Sequence, residues 1–238
     1  FWGGGTCLYE PESGDIRGME GFLRNILLFR VLGKRFGFVG IGMGPLRSGR
    51  ARRITKAILD RVEFVTFRDP ASIGIARSIT DKRRWQNFRV CGDLFFLSDE
   101  WIASLCARKA RGPMKKVAFC GYCGLAQDDG LRTLYAECLD RIIEDLGVTV
   151  SFVPMQVFAN VDDNLLHEGI RNRMRNKTDV QVLTYRSIEA LISAMNEVDF
   201  VIGMRLHSLV LADVLRIPSL GIAYNPKVPF YLKSFAEL

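Results

Sequence analysis

Arg205 and His207 stand two positions apart, and this pair gives the sequence its clearest chemical potential. A guanidinium is planar and permanently charged, and its donor fork matches a phosphate or a carboxylate. His207, one of two histidines in the chain, titrates near neutral pH and can carry a proton. An anion clamp beside a proton carrier is the outline of a reaction centre. The same residues also read as a helix-start arginine capping a neighbouring carbonyl and a structural histidine.

The elements that must position this pair follow from the flanking pattern. Val198 and Phe200 to Ile202 form a short apolar run, which predicts a buried strand. Gly203 breaks it, Leu209 to Leu215 predicts a helix, and Pro218 to Ala223 predicts a second strand. Arg205 and His207 then fall where the first strand ends and the helix begins. In open α/β sheets that crevice is where ligands bind. The helix start adds unpaired N–H groups and a positive dipole end, both suited to an anion.

Other candidates lie earlier in the chain. Gly3, Gly4 and Gly5 follow a strand and permit close approach of a ligand, although a tight turn alone would use them equally well. A second turn reads Gly40-Ile-Gly42-Met-Gly44-Pro45. Pro45 occupies the place of the last glycine in G-x-G-x-x-G, and no acidic residue ends the next strand, so the dinucleotide reading is weak. Arg68 closes a strand over 62–67 and points to a similar crevice; the alternative is a surface pair with Asp69, worth little. Asp162 and Asp163 precede a helix, where carboxylates suit the dipole. Cys120 and Cys123 form a C-x-x-C at a strand end, a local shape that can lower a thiol pKa, or two ordinary thiols.

Strands alternate with helices along the 238 residues, which predicts parallel sheets covered by helices. Gly112-Pro113 breaks a polar, basic run. The expected organisation is a Rossmann-like domain over 1–98, a linker over 99–114 and a second Rossmann-like domain over 115–238, facing one another across a cleft. The chain opens on Phe1 rather than Met, so the first domain is expected to be incomplete. No apolar run approaches the length of a membrane span. A net charge of +7 suits anionic substrates or a membrane surface, but the basic clusters carry no interleaved aromatics, which argues against nucleic acid. Six scattered cysteines without a regular framework fit a reduced, cytoplasmic chain. No metal-ligand cluster is visible.

In order and spacing, these blocks resemble the polysaccharide pyruvyl transferase family. Gly203-Met-Arg205-Leu-His207, followed by Ile217-Pro218 and Tyr224-Asn-Pro-Lys227, is similar to its C-terminal signature. Gly3-Gly-Gly5-Thr6, Gly40 to Pro45, Phe67-Arg68-Asp69 with Ser72, Gly92-Asp93, and Val153-Pro154 with Asp162-Asp163 resemble its other blocks. The resemblance implies an α/β, GT-B-like fold and transfer of pyruvate from phosphoenolpyruvate to two sugar hydroxyls. The product would be a ketal, with phosphate released. It implies that Arg205, Leu206 and His207 contact phosphoenolpyruvate, with His207 as acid–base group and Arg205 as anion clamp. Arg68, Lys227 and the glycine turns at Gly4, Gly5, Gly42 and Gly44 are the further substrate-binding candidates. The implied acceptor is a saccharide of a cell-surface polymer or its lipid-linked precursor, met in the cytoplasm or at the inner face of the membrane. No metal or cofactor enters this scheme beyond the donor substrate. One departure is Cys120-Gly-Tyr-Cys123, which stands where family members often show an arginine. Competing readings are a GT-B glycosyltransferase or sugar-nucleotide epimerase, a redox protein using Cys120 and Cys123, and a non-catalytic scaffold on the same fold.

Overall fold

The computed structural model describes residues 1–105, 112–158, 161–224 and 227–236. The chain divides into two compact units, Phe1–Leu97 with Lys233–Leu238, and Ser98–Leu232.

The first unit is built on a parallel sheet. Its elements are β1 (Trp2–Gly3), β2 (Thr6–Leu8), α1 (Arg17–Val31), β3 (Phe38–Met43), α2 (Gly49–Leu59), β4 (Val65–Phe67), α3 (Pro70–Ile79) and β5 (Phe88–Val90). Strand order is β1-β3-β4-β5, and β2 also pairs with β3. The short apolar strands are sealed by Phe38, Phe67 and Phe88, each essentially unexposed. Helix starts follow local chemistry: the Ser48 hydroxyl accepts from Ala51 N at 3.1 Å, and Asp69 Oδ1 accepts from Ser72 N at 2.7 Å.

The second unit begins with α4 (Asp99–Leu105) and continues with β6 (Lys116–Cys120), α5 (Asp129–Leu146) and β7 (Thr149–Phe152). A small antiparallel pair, β8 (Val157–Phe158) and β9 (Val161–Asp162), precedes α6 (Asn164–Arg171). Then come β10 (Val180–Val182), α7 (Ile188–Asn196), β11 (Phe200–Gly203), α8 (Leu206–Val214), β12 (Ser219–Gly221) and α9 (Lys227–Ala236). The sheet runs β10-β7-β6-β11-β12, parallel at every pairing. Counted within the unit this is 3-2-1-4-5, a doubly wound order that reverses between β6 and β11. Gly147 ends α5 in the left-handed region at φ 61°, as a glycine after a long amphipathic helix predicts.

The expected linker over 99–114 is corrected in its first part. Residues 99–105 form α4, which packs on α7 and buries Ile102. The polar run masked an apolar contact. The segment 106–111 lies outside the described residues.

Candidate functional site

The second unit places Arg205 at the reversal of its sheet. β6 and β11 are neighbours, and the loops after them, Gly121 to Cys123 and Met204 to Arg205, emerge side by side. Met204 N donates to Cys120 O at 2.9 Å, which locks the two loops together. Gly203 makes the turn possible, because a Cβ there would lie 2.4 Å from Ser208 Oγ. Arg205 is the N-cap residue of α8, and His207 lies exposed in its first turn. Leu206 is buried and anchors that turn.

Arg205 is not an unattached clamp. Its Nε lies 3.2 and 3.1 Å from the two Asp163 oxygens, and its Nη2 lies 2.5 Å from Oδ1. Asp163 is fully buried, whereas the Arg205 side chain keeps 13% of its exposure. The guanidinium also sits 4.5 Å over the Tyr122 ring, whose other partner, Tyr224, stacks at 4.3 Å. Burial alone would lower the Arg205 pKa, but hydrogen bonding and charge pairing with Asp163 outweigh it and raise the value. The cation is therefore permanent. Nη1 makes no hydrogen bond among the described residues.

Asp163 reaches further than its local sequence suggests. Its oxygens also accept from Cys123 N at 3.0 Å, Met155 N at 3.2 Å and Gln156 N at 3.0 Å. The expectation that both aspartates serve the start of α6 is corrected for this one: its side chain caps nothing there, while Asp162 accepts from Asn164 N. Beside it, His167 is fully buried and stacks on Phe152 at 5.0 Å. Its Nε2 accepts from Gly121 N at 3.0 Å, and its Nδ1 has no partner. Burial pushes its pKa down to about 4, so the ring is neutral near pH 7.

The cysteines behave opposite to the redox expectation. Burial pushes the Cys120 thiol up to about 12, and burial together with Asp163 also raises Cys123. Both stay protonated, so neither is the activated thiolate that the C-x-x-C spacing suggested.

In the first unit, Arg68 does end β4, but the surface-pair alternative is corrected. Its side chain is only 7% exposed. Nη2 donates to Thr6 Oγ1 at 2.8 Å, Nη1 lies 3.5 Å from Asp93, and Nε lies 3.6 Å from Asp69. Arg68 thus ties together the ends of β2, β4 and β5. Gly42 and Gly44 have close side-chain neighbours that by themselves require a glycine. A Cβ on Gly42 would lie 2.8 Å from Arg68 Nε, and one on Gly44 would lie 2.5 Å from Ile75 Cδ1. Gly4 and Gly5 differ: both have positive φ, and nothing lies within 4 Å of an added Cβ. The side chain of Lys227 lies outside the described residues. Among the described residues no group of acidic, histidine and cysteine side chains is arranged to hold a metal ion.

The residues missed in the sequence were Asp163, as the partner of Arg205, and His167. His167 had a signal: it falls on the buried stripe of α6 with Leu166 and Ile170. Asp163 fell within a block resembling the family, but nothing in that block pointed to Arg205 as its partner.

Two parallel-sheet α/β units, one with a fixed guanidinium at its topological switch point, define a protein of the GT-B-like class. The UDP-GlcNAc 2-epimerase of Methanocaldococcus jannaschii is similar, with TM-score 0.58 and 12% identity over 89% of this chain and 61% of that one. A putative UDP-N-acetylglucosamine 2-epimerase from Listeria monocytogenes gives 0.60 and 11%, over 91% and 64%. The UDP-GlcNAc-bound epimerase of Neisseria meningitidis gives 0.60 and 8%, over 94% and 69%. At these identities the likeness concerns the fold alone, and the chain spans less than two thirds of the length of the first two. No curated protein sequence matches. The sequence model of the polysaccharide pyruvyl transferase family matches residues 1–226, and the chain belongs to that family.

Proposed function

We propose that this chain carries the donor site of an enzyme that transfers pyruvate from phosphoenolpyruvate to two hydroxyls of a saccharide. The carrying observation is that Arg205 and His207, within the family match, stand at the sheet reversal of the second unit. Phosphoenolpyruvate brings a carboxylate and a phosphate. Arg205 binds one of them with donors that Asp163 leaves unused, and the first turn of α8 adds backbone N–H groups and its dipole.

Protonation of the methylene carbon makes a methyl group and leaves C2 cationic. One sugar hydroxyl adds to C2 and releases its proton. Phosphate then leaves with the C2–O electron pair, and the second hydroxyl closes the ketal, releasing its own proton. Of the two hydroxyl protons, one balances the proton taken up by the methyl group and the other accompanies phosphate. His207 is exposed and is the group assigned to deliver and collect these protons. The acceptor is a saccharide of a cell-surface polymer or of its lipid-linked precursor. Arg68 is assigned a structural role, because its donors are directed to Thr6, Asp69 and Asp93.

A nucleotide-sugar reading is favoured only by the shared fold of the epimerases. Incubation with phosphoenolpyruvate and saccharide acceptors, in parallel with UDP-sugars, separates the two. Acceptor-dependent phosphate release with a new ketal is expected; nucleotide release or epimerisation, without phosphate, would replace this reading by the other.

A further inference from the structure

Asp163 is the most heavily bonded side chain in the second unit's crevice, yet as an acceptor-only group it cannot itself bind an anion. We infer that it is a positioning residue: it holds Arg205 by one edge so that the opposite edge faces the substrate anion. This inference rests on the donor reading above for the identity of that anion.

A guanidinium offers two edges for paired hydrogen bonding, one formed by Nε and Nη2 and one by Nη1 and Nη2. Asp163 occupies the first, with contacts of 3.1 Å to Nε and 2.5 Å to Nη2. Tyr122 covers one face of the plane at 4.5 Å. The second edge keeps both Nη1 hydrogens, while the remaining Nη2 hydrogen is held only by a weak 3.8 Å contact to Cys123 Sγ. It can receive a carboxylate or phosphate in two-point fashion. An arginine free to rotate would offer either edge and would lose side-chain entropy on each binding event.

Asp163 is itself fixed. Backbone N–H groups of Cys123, Met155 and Gln156, from the loops after β6 and β7, converge on its two oxygens. It has no exposure of its own, so water does not compete for these bonds. Two loop ends and the guanidinium are thus held in one frame. The arrangement also compensates charge. One buried carboxylate neutralises the guanidinium, so an incoming dianion meets a site of modest net charge and is selected by hydrogen-bond geometry as well as attraction.

The test has a ligand-free arm and a donor arm. In the ligand-free protein, nitrogen-15 NMR of Arg205 should show a distinct, slowly exchanging Nε–H and separate Nη signals. Asp163→Asn should collapse them to averaged, fast-exchanging signals. Averaged Nη signals in the unmodified protein, or signals indifferent to Asp163→Asn, would overturn the inference; the first of these needs no variant and stands even if Asp163→Asn does not fold. In the donor arm, phosphoenolpyruvate affinity is measured for the unmodified protein, Asp163→Asn, Arg205→Lys and the double variant, alongside thermal melting. Asp163→Asn should weaken binding about tenfold or more, and should add almost nothing once Arg205 is lysine. Fully additive losses would mean that Asp163 acts through the scaffold alone and would overturn the inference. An unmodified protein that ignores phosphoenolpyruvate while keeping the protected Arg205 signals would count against the donor, not against the positioning.

Discussion

At the scale of single residues, the crevice of the second unit sets a largely buried cation close in sequence to an exposed imidazole. Arg205 is tied to a buried carboxylate, whereas His207 is exposed on the first turn of α8. Replacing His207 should therefore damage chemistry and spare the fold. His207→Ala is expected to lower acceptor-dependent phosphate release by about 10²–10⁴-fold, the usual contribution of a general acid or base, with an unchanged melting curve. Turnover at the parent rate would remove it from the mechanism. Both residues were legible in the sequence, because a strand end followed by a helix start is a local pattern. Their environments were not. Asp163 lies 42 positions from Arg205, and Thr6 lies 62 from Arg68, so neither pairing leaves a local trace. Where local chemistry offered an explanation, dipole support for Asp163 or a surface pair for Arg68, long-range packing overrode it.

At the scale of elements, strand positions were readable because short apolar runs must be buried, and the runs at 62–67, 198–202 and 218–223 became β4, β11 and β12. What the glycine turns accommodate was not readable, since permissive backbone looks the same beneath a ligand and beneath a side chain. Gly42 and Gly74, both in the first unit, make this measurable with opposite signs. A Cβ on Gly42 meets the Arg68 guanidinium at 2.8 Å, so Gly42→Ala should destabilise by about 1–3 kcal/mol in urea unfolding. Gly74 lies within α3 and has nothing within 4 Å of an added Cβ. Gly74→Ala should stabilise by about 0.5–1 kcal/mol through helix entropy. Equal and small effects at both positions would mean that Arg68 does not lie against β3 in solution.

At the scale of the whole molecule, two parallel sheets carry the family match, and among the described residues no helix is long and apolar enough to cross a membrane. Stability should respond to pH through His167. Burial pushes its pKa from 6.5 down to about 4, so between those values the unfolded chain binds a proton that the folded chain excludes. The contribution is intact above pH 6.5 and is lost as pH falls towards 4, by roughly 3 kcal/mol in all. Urea unfolding across this range should show a steeper decline for the parent than for His167→Gln; parallel curves would show that the ring is not sealed. The stack of Arg205, Tyr122 and Tyr224 has an optical consequence. A phenol ring held between a cation and a second ring is fixed in an asymmetric field, so it should contribute a strong tyrosine band to near-ultraviolet circular dichroism. Trp2 and Trp85 take their aromatic and cationic partners elsewhere, from Phe22 and Arg77. Any anion that draws on the guanidinium should perturb the tyrosine band first, giving the protein an intrinsic, label-free reporter of occupancy.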